Sequence, residues 1–185
     1  MFIQTEATPN PATVKSIPGK VVLGDGTVDF RAPSEAAASP LASRLFGIDG
    51  VSGVFLGSDF ISVTKGDIEW QHLKPAVLGA IMEHFMSGAP VVDGTSSHDD
   101  AETEDFAPED AETVATIKEL LETRVRPAVA NDGGDIVFHG FRDGIVYLHM
   151  RGACSGCPSS TATLQGGIER LLQHFCPEVI EVRAV

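Results

Sequence analysis

The chain has 185 residues, 43% of them hydrophobic, and its formal net charge at pH 7 is −13. That length suffices for one medium domain or two small ones. The acidic balance argues against nucleic acid and against anionic membranes as partners, because both are bound mainly through Lys and Arg side chains.

The chain begins with the sequence MFIQTEATPNP, which lacks the basic and apolar regions of a signal peptide and the arginines of a mitochondrial presequence. No segment approaches the roughly 20 apolar residues that a membrane-spanning helix needs. We therefore expect a bacterial cytosolic protein, or one of the mitochondrial matrix if the chain is a processed form.

Residues 1–92 mix strand and helix patterns, which predicts a small α+β domain. Strands are predicted over residues 1–7 and 20–24. The apolar runs over residues 51–66 flank the sequence Gly57-Ser58-Asp59, which predicts a hairpin with its turn at these three residues.

Two helices are predicted in the same segment. The first follows Ser39, a good N-cap, has Pro40 at its first position and ends near Gly47. The second carries an apolar stripe at a spacing of four and is expected to begin near Lys74 or to bend at Pro75. The stripe consists of Leu73, Val77, Ile81 and Phe85.

Residues 93–110 form a strongly acidic segment. It contains eight Asp and Glu residues, no Lys or Arg, and a single large apolar residue, Phe106. Such a segment buries too little surface to offset the loss of chain entropy. We therefore predict a flexible acidic linker between two domains, with recognition of a partner by Phe106 as the alternative.

Residues 111–185 predict a second small α+β domain. An apolar stripe from Val114 to Val125 predicts a helix that Pro127 interrupts near its end. The sequence Asp143-Gly144 between two apolar runs predicts a hairpin over residues 136–152. A helix over residues 161–175 and a short final strand complete the domain.

The pair Cys154 and Cys157 lies between the hairpin and the last helix. A position before a helix favours thiolates, because free N–H groups and the helix dipole stabilise negative charge. Three uses remain open: dithiol–disulfide exchange, a zinc site, or a cluster or metal shared between two chains. A single-chain zinc site needs four ligands, and the sequence offers no second pair of this kind.

The segment RPAVANDGGDIVFHGFRDGIVYLHMRGACSGCPSSTATLQGGIERLLQ resembles the C-terminal domain of Nfu-type (NifU-like) iron–sulfur scaffold proteins. The matching motifs are DGGD (Asp132–Asp135), GACSGCPSS (Gly152–Ser160) and GIERLL (Gly167–Leu172). The N-terminal stretch FIQTEATPNPATVKSIPGKVV resembles the additional N-terminal domain of alphaproteobacterial and mitochondrial Nfu proteins. The resemblance covers most of the chain outside the acidic segment.

The resemblance implies a scaffold or carrier and not an enzyme. It implies that Cys154 and Cys157 are cluster ligands, that two copies of the chain bridge a [4Fe–4S] cluster, with [2Fe–2S] as the alternative, and that the cysteines are exposed for hand-over to apo-proteins. The implied partners are a second copy, apo iron–sulfur client proteins and upstream assembly proteins. The first domain would then be an interaction module for clients or assembly proteins.

Several other residues have simpler interpretations. We expect Cys176 to be a semi-buried structural thiol, and His139 and His149 to be ordinary residues of the hairpin rather than ligands. The glycines of Asp132–Asp135 suit a tight turn, with a second role near the cysteines as the alternative. Each of Arg124, Arg126 and Arg151 is a charge that can stabilise a thiolate if the fold brings it close.

Overall fold

The computed structural model describes residues 1–93, 104–155 and 158–185. The chain divides into two compact units, Met1–Asp99 and Asp100–Val185. Each unit has its own sheet, its own helices and its own apolar core, so the predicted α+β class is confirmed.

The sheet of the first unit has five strands in the order β1-β2-β5-β4-β3, and all its neighbours are antiparallel. The predicted first strand and the predicted hairpin, with its turn after Leu56, are both present. The predicted strand over residues 20–24 is wrong. The strands are β1 Gln4–Ala7, β2 Thr13–Ile17, β3 Val28–Phe30, β4 Val51–Leu56 and β5 Ile61–Lys65.

Residues 20–24 form a loop because their main chain turns away from the sheet. The N–H of Val22 donates to the carbonyl of Ser58 at 2.8 Å, and Gly24 has a φ of 82°. A residue with positive φ cannot continue a strand, and the left-handed region favours glycine. The apolar pattern of this stretch therefore reflects the burial of Val22 in the core and not a strand.

The first unit has two α-helices, α1 (Pro40–Phe46) and α2 (Trp70–Ser87), and a 3₁₀ helix, Pro33–Ala38. The Ser39 hydroxyl accepts the N–H of Ala42 at 3.0 Å, as an N-cap should. The expectation that α2 begins near Lys74 is wrong: Pro75 lies inside the helix. The preceding turn is already formed, since the N–H groups of His72 and Leu73 both donate to the Glu69 carbonyl.

His84, on the last turns of α2, is fully buried in the first unit. Neither ring nitrogen has a hydrogen-bond partner with good geometry among the described residues. Burial is the main cause that lowers the pKa of His84 below 6.5, and the positive charge of Arg44 adds to it. Arg44 in turn forms an ion pair with Glu83 at 3.0 Å. The neutral imidazole is thus the form that the folded unit favours.

We expect the first unit to lose stability as the pH falls from 7 to 5. The unfolded chain takes up a proton at His84 near pH 6.5, while the folded unit resists that proton, so stability rises with pH through this window. One proton gives a slope of at most about 1.4 kcal/mol per pH unit. Urea unfolding followed by the fluorescence of Trp70, the single tryptophan, measures it.

The matched variants are His84→Phe, which should flatten this pH dependence, and His72→Gln, which should keep it because His72 is exposed. An unchanged slope in His84→Phe would show that another group titrates.

The second unit contains two consecutive helices joined by a π-helical turn: α3 (Ala111–Leu120), the turn Leu121–Val125, and α4 (Arg126–Asn131). The N–H of Arg126 donates to the carbonyl of Leu121, five residues earlier, which is the π-helical pattern. Pro127 explains the widening: it has no N–H, and its ring would clash with a carbonyl one α-turn earlier. The predicted interruption at Pro127 is therefore confirmed as a change of helix geometry.

The sheet of the second unit has the order β6-β7-β8-β9. Strands β7 and β8 form the predicted antiparallel hairpin, and Asp143 and Gly144 at its turn have φ values of 52° and 79°, as a type I′ turn requires. The two outer strands run parallel to their neighbours. The elements are β6 Asp105–Phe106, β7 Gly134–Arg142, β8 Ile145–Gly152, α5 Pro158–Phe175 and β9 Glu181–Ala184.

The core of the second unit lies between the helices and one face of the hairpin. Strand alternation directs Ile136, Phe138, Leu148 and Met150 into it. These side chains pack against apolar residues of α3, α5 and the π-helical turn, which include Val114, Ile117, Leu121, Ile168 and Leu172.

The end of the predicted acidic linker differs from the prediction. Residues 94–103 of it lie outside the described residues. Asp105–Phe106 is strand β6 of the second unit, and Pro108–Asp110 is a 3₁₀ helix. Phe106 is half-buried and packs against the core, with its ring centroid 6.5 Å from that of Phe138. The single large apolar residue of the segment thus packs against the core of the second unit.

Candidate functional site

Cys154 lies in a tight turn that follows β8. Gly152 ends the strand with a φ of 65°, and the N–H of Ser155 donates to the Gly152 carbonyl at 3.1 Å. On the far side of the turn, Thr161 of α5 donates its hydroxyl to the Cys154 carbonyl at 3.3 Å. Cys157, the second predicted ligand, lies outside the described residues. The strand–turn–helix setting predicted for the pair is therefore present around Cys154.

The DGGD loop packs directly against this turn. Helix α4 ends at Asn131, and Gly133 follows with a φ of 79°. The carbonyl of Gly133 accepts the N–H of Ala153 at 3.2 Å, and Gly134 pairs with Gly152 at the start of the hairpin. The two motifs, separated by about 20 residues in sequence, form one local structure.

Gly134 makes room for the cysteine. A Cβ atom at Gly134 would lie 2.7 Å from the Cys154 sulfur, 2.8 Å from the Arg151 carbonyl oxygen and 3.1 Å from the Cys154 nitrogen. Real Cβ contacts are not this short, so only glycine lets the turn approach so closely. The second role that the sequence left open for this loop is thus steric: it supports Cys154.

A partly buried ion pair connects the same loop to the helices. Arg126 donates from Nε and Nη2 to the two carboxylate oxygens of Asp135, at 2.8 and 2.9 Å, and from Nη1 to Glu122 at 2.6 Å. The Asp135 carboxylate also accepts the N–H of Ile136 at 2.8 Å. These hydrogen bonds to carboxylates, with that to Asp135 the strongest cause, raise the pKa of Arg126 above its ordinary value. A bidentate pair of this kind fixes direction as well as distance.

Cys154 is buried, with 6% of its surface exposed, and it belongs to the core of the second unit. The expectation of an exposed ligand is therefore wrong for this cysteine. Its sulfur packs on Gly134, where a small apolar group is accommodated well. A bound metal or cluster can reach this sulfur only if the turn rearranges.

The remaining candidates lie elsewhere. Cys176 is 3% exposed in the same core, and burial, followed by the charge of Glu178, raises the pKa of its thiol, which fits a structural thiol. His149 lies between the core residues Leu148 and Met150, so it faces the other side of the sheet. His139 lies at a β-bulge in β7. Within residues 1–93, 104–155 and 158–185, no three His, Cys, Asp or Glu residues form a group suited to a metal ion.

Of the arginines that the sequence singled out, Arg126 supports the cysteine turn through Asp135. Arg124 instead stacks over the Phe175 ring at 5.2 Å. Arg151 lies opposite Asp135 in the hairpin register. No sequence pattern pointed to the Arg126–Asp135 pair, because its two residues belong to different elements joined by a turn.

Both units match known families. Residues 3–88 match the family model described as scaffold protein Nfu/NifU N terminal, and residues 117–183 match the NifU-like domain. The cysteine turn and the DGGD loop thus belong to a NifU-like domain.

Curated relatives extend over both matches. The human protein named NFU1 iron-sulfur cluster scaffold homolog, mitochondrial, is 51% identical over 187 residues, which cover 100% of this chain and 72% of the human one. NifU-like protein 4, mitochondrial, of Arabidopsis thaliana is 51% identical, over 97% of this chain and 64% of its own. The chain belongs to the Nfu family of NifU-like scaffold proteins.

Among solved structures, the solution structure of a NifU-like protein from Saccharomyces cerevisiae is similar, with a TM-score of 0.45 and 23% identity, over 50% of this chain and 84% of that one. In the described part of this chain, no helix is long and apolar enough to cross a membrane. Both relatives carry "mitochondrial" in their names. For this chain, the choice between bacterial cytosol and mitochondrial matrix stays a prediction.

Proposed function

We propose that this protein is an iron–sulfur cluster scaffold and carrier. Two copies hold one cluster, typically [4Fe–4S], through Cys154 and Cys157 of each chain, and they pass it to apo-proteins. The chain receives the cluster from upstream assembly proteins and catalyses no turnover reaction itself. The names of the relatives support the cluster as cargo.

The observation that carries the proposal is the close packing of Cys154 against Gly134, in a turn that leads into helix α5. A glycine loop and a partly buried ion pair together support this one cysteine. A cluster of this kind takes four thiolates, and the pair Cys154 and Cys157 offers two per chain. A second copy of the same motif supplies the other two.

Hand-over follows as ligand exchange. Thiolates of the apo-protein replace those of the scaffold one at a time, and each scaffold chain releases only two bonds. Because Cys154 is buried before loading, the turn must open to expose the sulfur. We therefore expect alkylation of this thiol to be slow until the turn opens or the unit unfolds.

Anaerobic reconstitution with iron and sulfide tests the proposal. The wild-type chain should give a brown protein with about one cluster per two chains, and Mössbauer spectra and native mass measurements define the cluster type and stoichiometry. Cys154→Ser and Cys157→Ser should each lose the cluster absorbance. Cys176→Ala should keep it, since Cys176 follows helix α5 and is not part of the Cys154–Cys157 motif.

Three outcomes would overturn the proposal. Cluster absorbance that survives in Cys154→Ser would exclude this cysteine as a ligand. A reversible two-electron couple between Cys154 and Cys157, with insulin reduction and no cluster, would favour a dithiol–disulfide oxidoreductase. Zinc without iron after anaerobic reconstitution would favour a zinc-bridged dimer.

A further inference from the structure

The outer edge of β7 is covered by a short segment of the acidic stretch, Glu104–Phe106, which we term the cover segment. Its residues Asp105 and Phe106 pair in parallel with Gly140 and Phe141 of β7. An edge strand offers free N–H and C=O groups to any extended peptide. In the structure, this edge is paired with an extended segment of the chain itself.

Because Gly140 has no side chain, it leaves space at the edge of β7 for the backbone of the cover segment; we call this space the notch. A Cβ atom at this position would lie 2.7 Å from the carbonyl oxygen of Asp105. The neighbouring atom is backbone and cannot swing away, so a side chain at Gly140 would push the segment off the strand. The glycine thus serves the bound segment.

Two cations and an aromatic ring receive the side chains of the cover segment. Lys118 of α3 pairs with Glu104, and Arg142 of β7 pairs with Asp105. The ring of Phe106 meets that of Phe138 at an interplanar angle of 63°. The Nζ atom of Lys118 lies 5.8 Å from the centroid of the Phe138 ring. The edge thus accommodates two consecutive acids followed by an aromatic residue.

A cavity of about 150 Å³ adjoins the cover segment. Glu104 and Lys118 lie at its wall, together with the apolar side chains of Leu121 and Ile136. Within the described part of the chain, no side chain of the cover segment fills this space. A ligand with a further apolar side chain before the two acids would use it.

The cover segment is held weakly. Its strand has two residues, and its ion pairs are exposed: the side chains of Arg142 and Asp105 are 64% and 61% exposed, those of Lys118 and Glu104 44% and 36%. Exposed ion pairs contribute little to stability. Segments with few buried contacts open at low free-energy cost.

We propose that the edge of β7 is a binding groove for an extended peptide of a partner protein, with two acidic residues followed by an aromatic one, and that the cover segment occupies the groove until such a peptide displaces it. The groove does not contain Cys154, but the cavity beside it is also lined by Arg126. It adds a docking site to the cluster-binding unit.

The test uses a fluorescent peptide with the sequence of residues 104–110, EDFAPED, and the full-length chain. In the double variant Asp105→Ala/Phe106→Ala, the cover segment should leave the groove, and the peptide should bind. The wild type should bind it at least about tenfold more weakly, because a tethered segment competes at an effective concentration near the millimolar range. Fluorescence anisotropy measures both affinities.

The matched control adds Gly140→Val to the double variant. The cover segment is still released, but the notch is filled, so binding should be lost. Arg142→Glu, added to the double variant, should weaken binding of this peptide. A peptide with lysine in place of the aspartate that corresponds to Asp105 should bind the Arg142→Glu protein better than it binds the double variant. If the double variant unfolds, Asp105→Lys alone should release the segment, because the lysine would face Arg142. The Asp105 side chain is 61% exposed, so this single change should not disturb the core.

The proposal is overturned if the peptide fails to bind the released variant, or if binding persists with Gly140→Val. Concentration-dependent dimers of the wild type that Phe106→Ala abolishes would also overturn it, because they would assign the groove to a second copy of this chain.

Discussion

Gly134→Ala is expected to expose the Cys154 thiol and to destabilise the second unit by about 1–3 kcal/mol, the usual cost of forcing an extra methyl into a packed site. The new methyl group would meet the Cys154 sulfur at 2.7 Å and the Arg151 carbonyl at 2.8 Å. The turn must then move off the loop, which exposes Cys154. Alkylation of this thiol should therefore become faster even without any cluster, and mass spectrometry measures its rate.

The matched control is Gly166→Ala on helix α5, where a Cβ would meet no atom within 4 Å. Because glycine is a poor helix residue, this change should stabilise the unit by about 0.5–1 kcal/mol and leave the alkylation rate of Cys154 unchanged. Equal alkylation rates in Gly134→Ala and the wild type would contradict the steric role of Gly134. That readout does not depend on whether the cargo is an iron–sulfur cluster.

Arg126→Met is expected to have the largest effect on folding stability, about 3–5 kcal/mol. The Asp135 side chain is 4% exposed, so removal of the arginine leaves a buried carboxylate without its bidentate partner. The cost arises because the buried carboxylate loses the cation that compensates its charge and keeps only its other hydrogen bonds, such as that from the Ile136 N–H. Urea unfolding followed by far-UV circular dichroism and by the fluorescence of Tyr147, the single tyrosine, measures it.

Two variants control this result. Arg183→Met breaks an ion pair with Glu181 whose side chains are 51% and 44% exposed, and it should barely shift the urea midpoint. Arg126→Lys keeps the charge but loses the bidentate geometry, so its midpoint should fall between those of the wild type and Arg126→Met. A midpoint in Arg126→Met no lower than in Arg183→Met would show that the pair does not hold the loop.

The sequence predicted those parts of the fold whose signals are local. The turn of the second hairpin was found from Asp143-Gly144, because positive φ at both positions strongly favours such residues. Helix α1 was found from Ser39, which caps it as expected. The cysteine turn was placed correctly between strand and helix, since short motifs carry this information.

The sequence did not predict features that depend on contacts between residues far apart in the chain. Strands β2 and β3 of the first unit are short, and β2 is recognisable only by its pairing with β1 and β5. The burial of Cys154 depends on Gly134, about 20 residues away in sequence. Strand β6 exists because Phe138 and Gly140 offer a place for Phe106 and its neighbour, which the acidity of the segment concealed.

The π-helical turn at Leu121–Val125 has a consequence for the rotational phase of the two helices that it joins. In an α-helix, each residue turns the chain by about 100°. The extra residue of the π-helical turn therefore rotates α4 by about 100° relative to α3. The apolar stripe of α3 and the direction of Arg126 are thereby set independently. Deletion of one residue from this turn would rotate Arg126 away from Asp135 while leaving the composition of both helices intact.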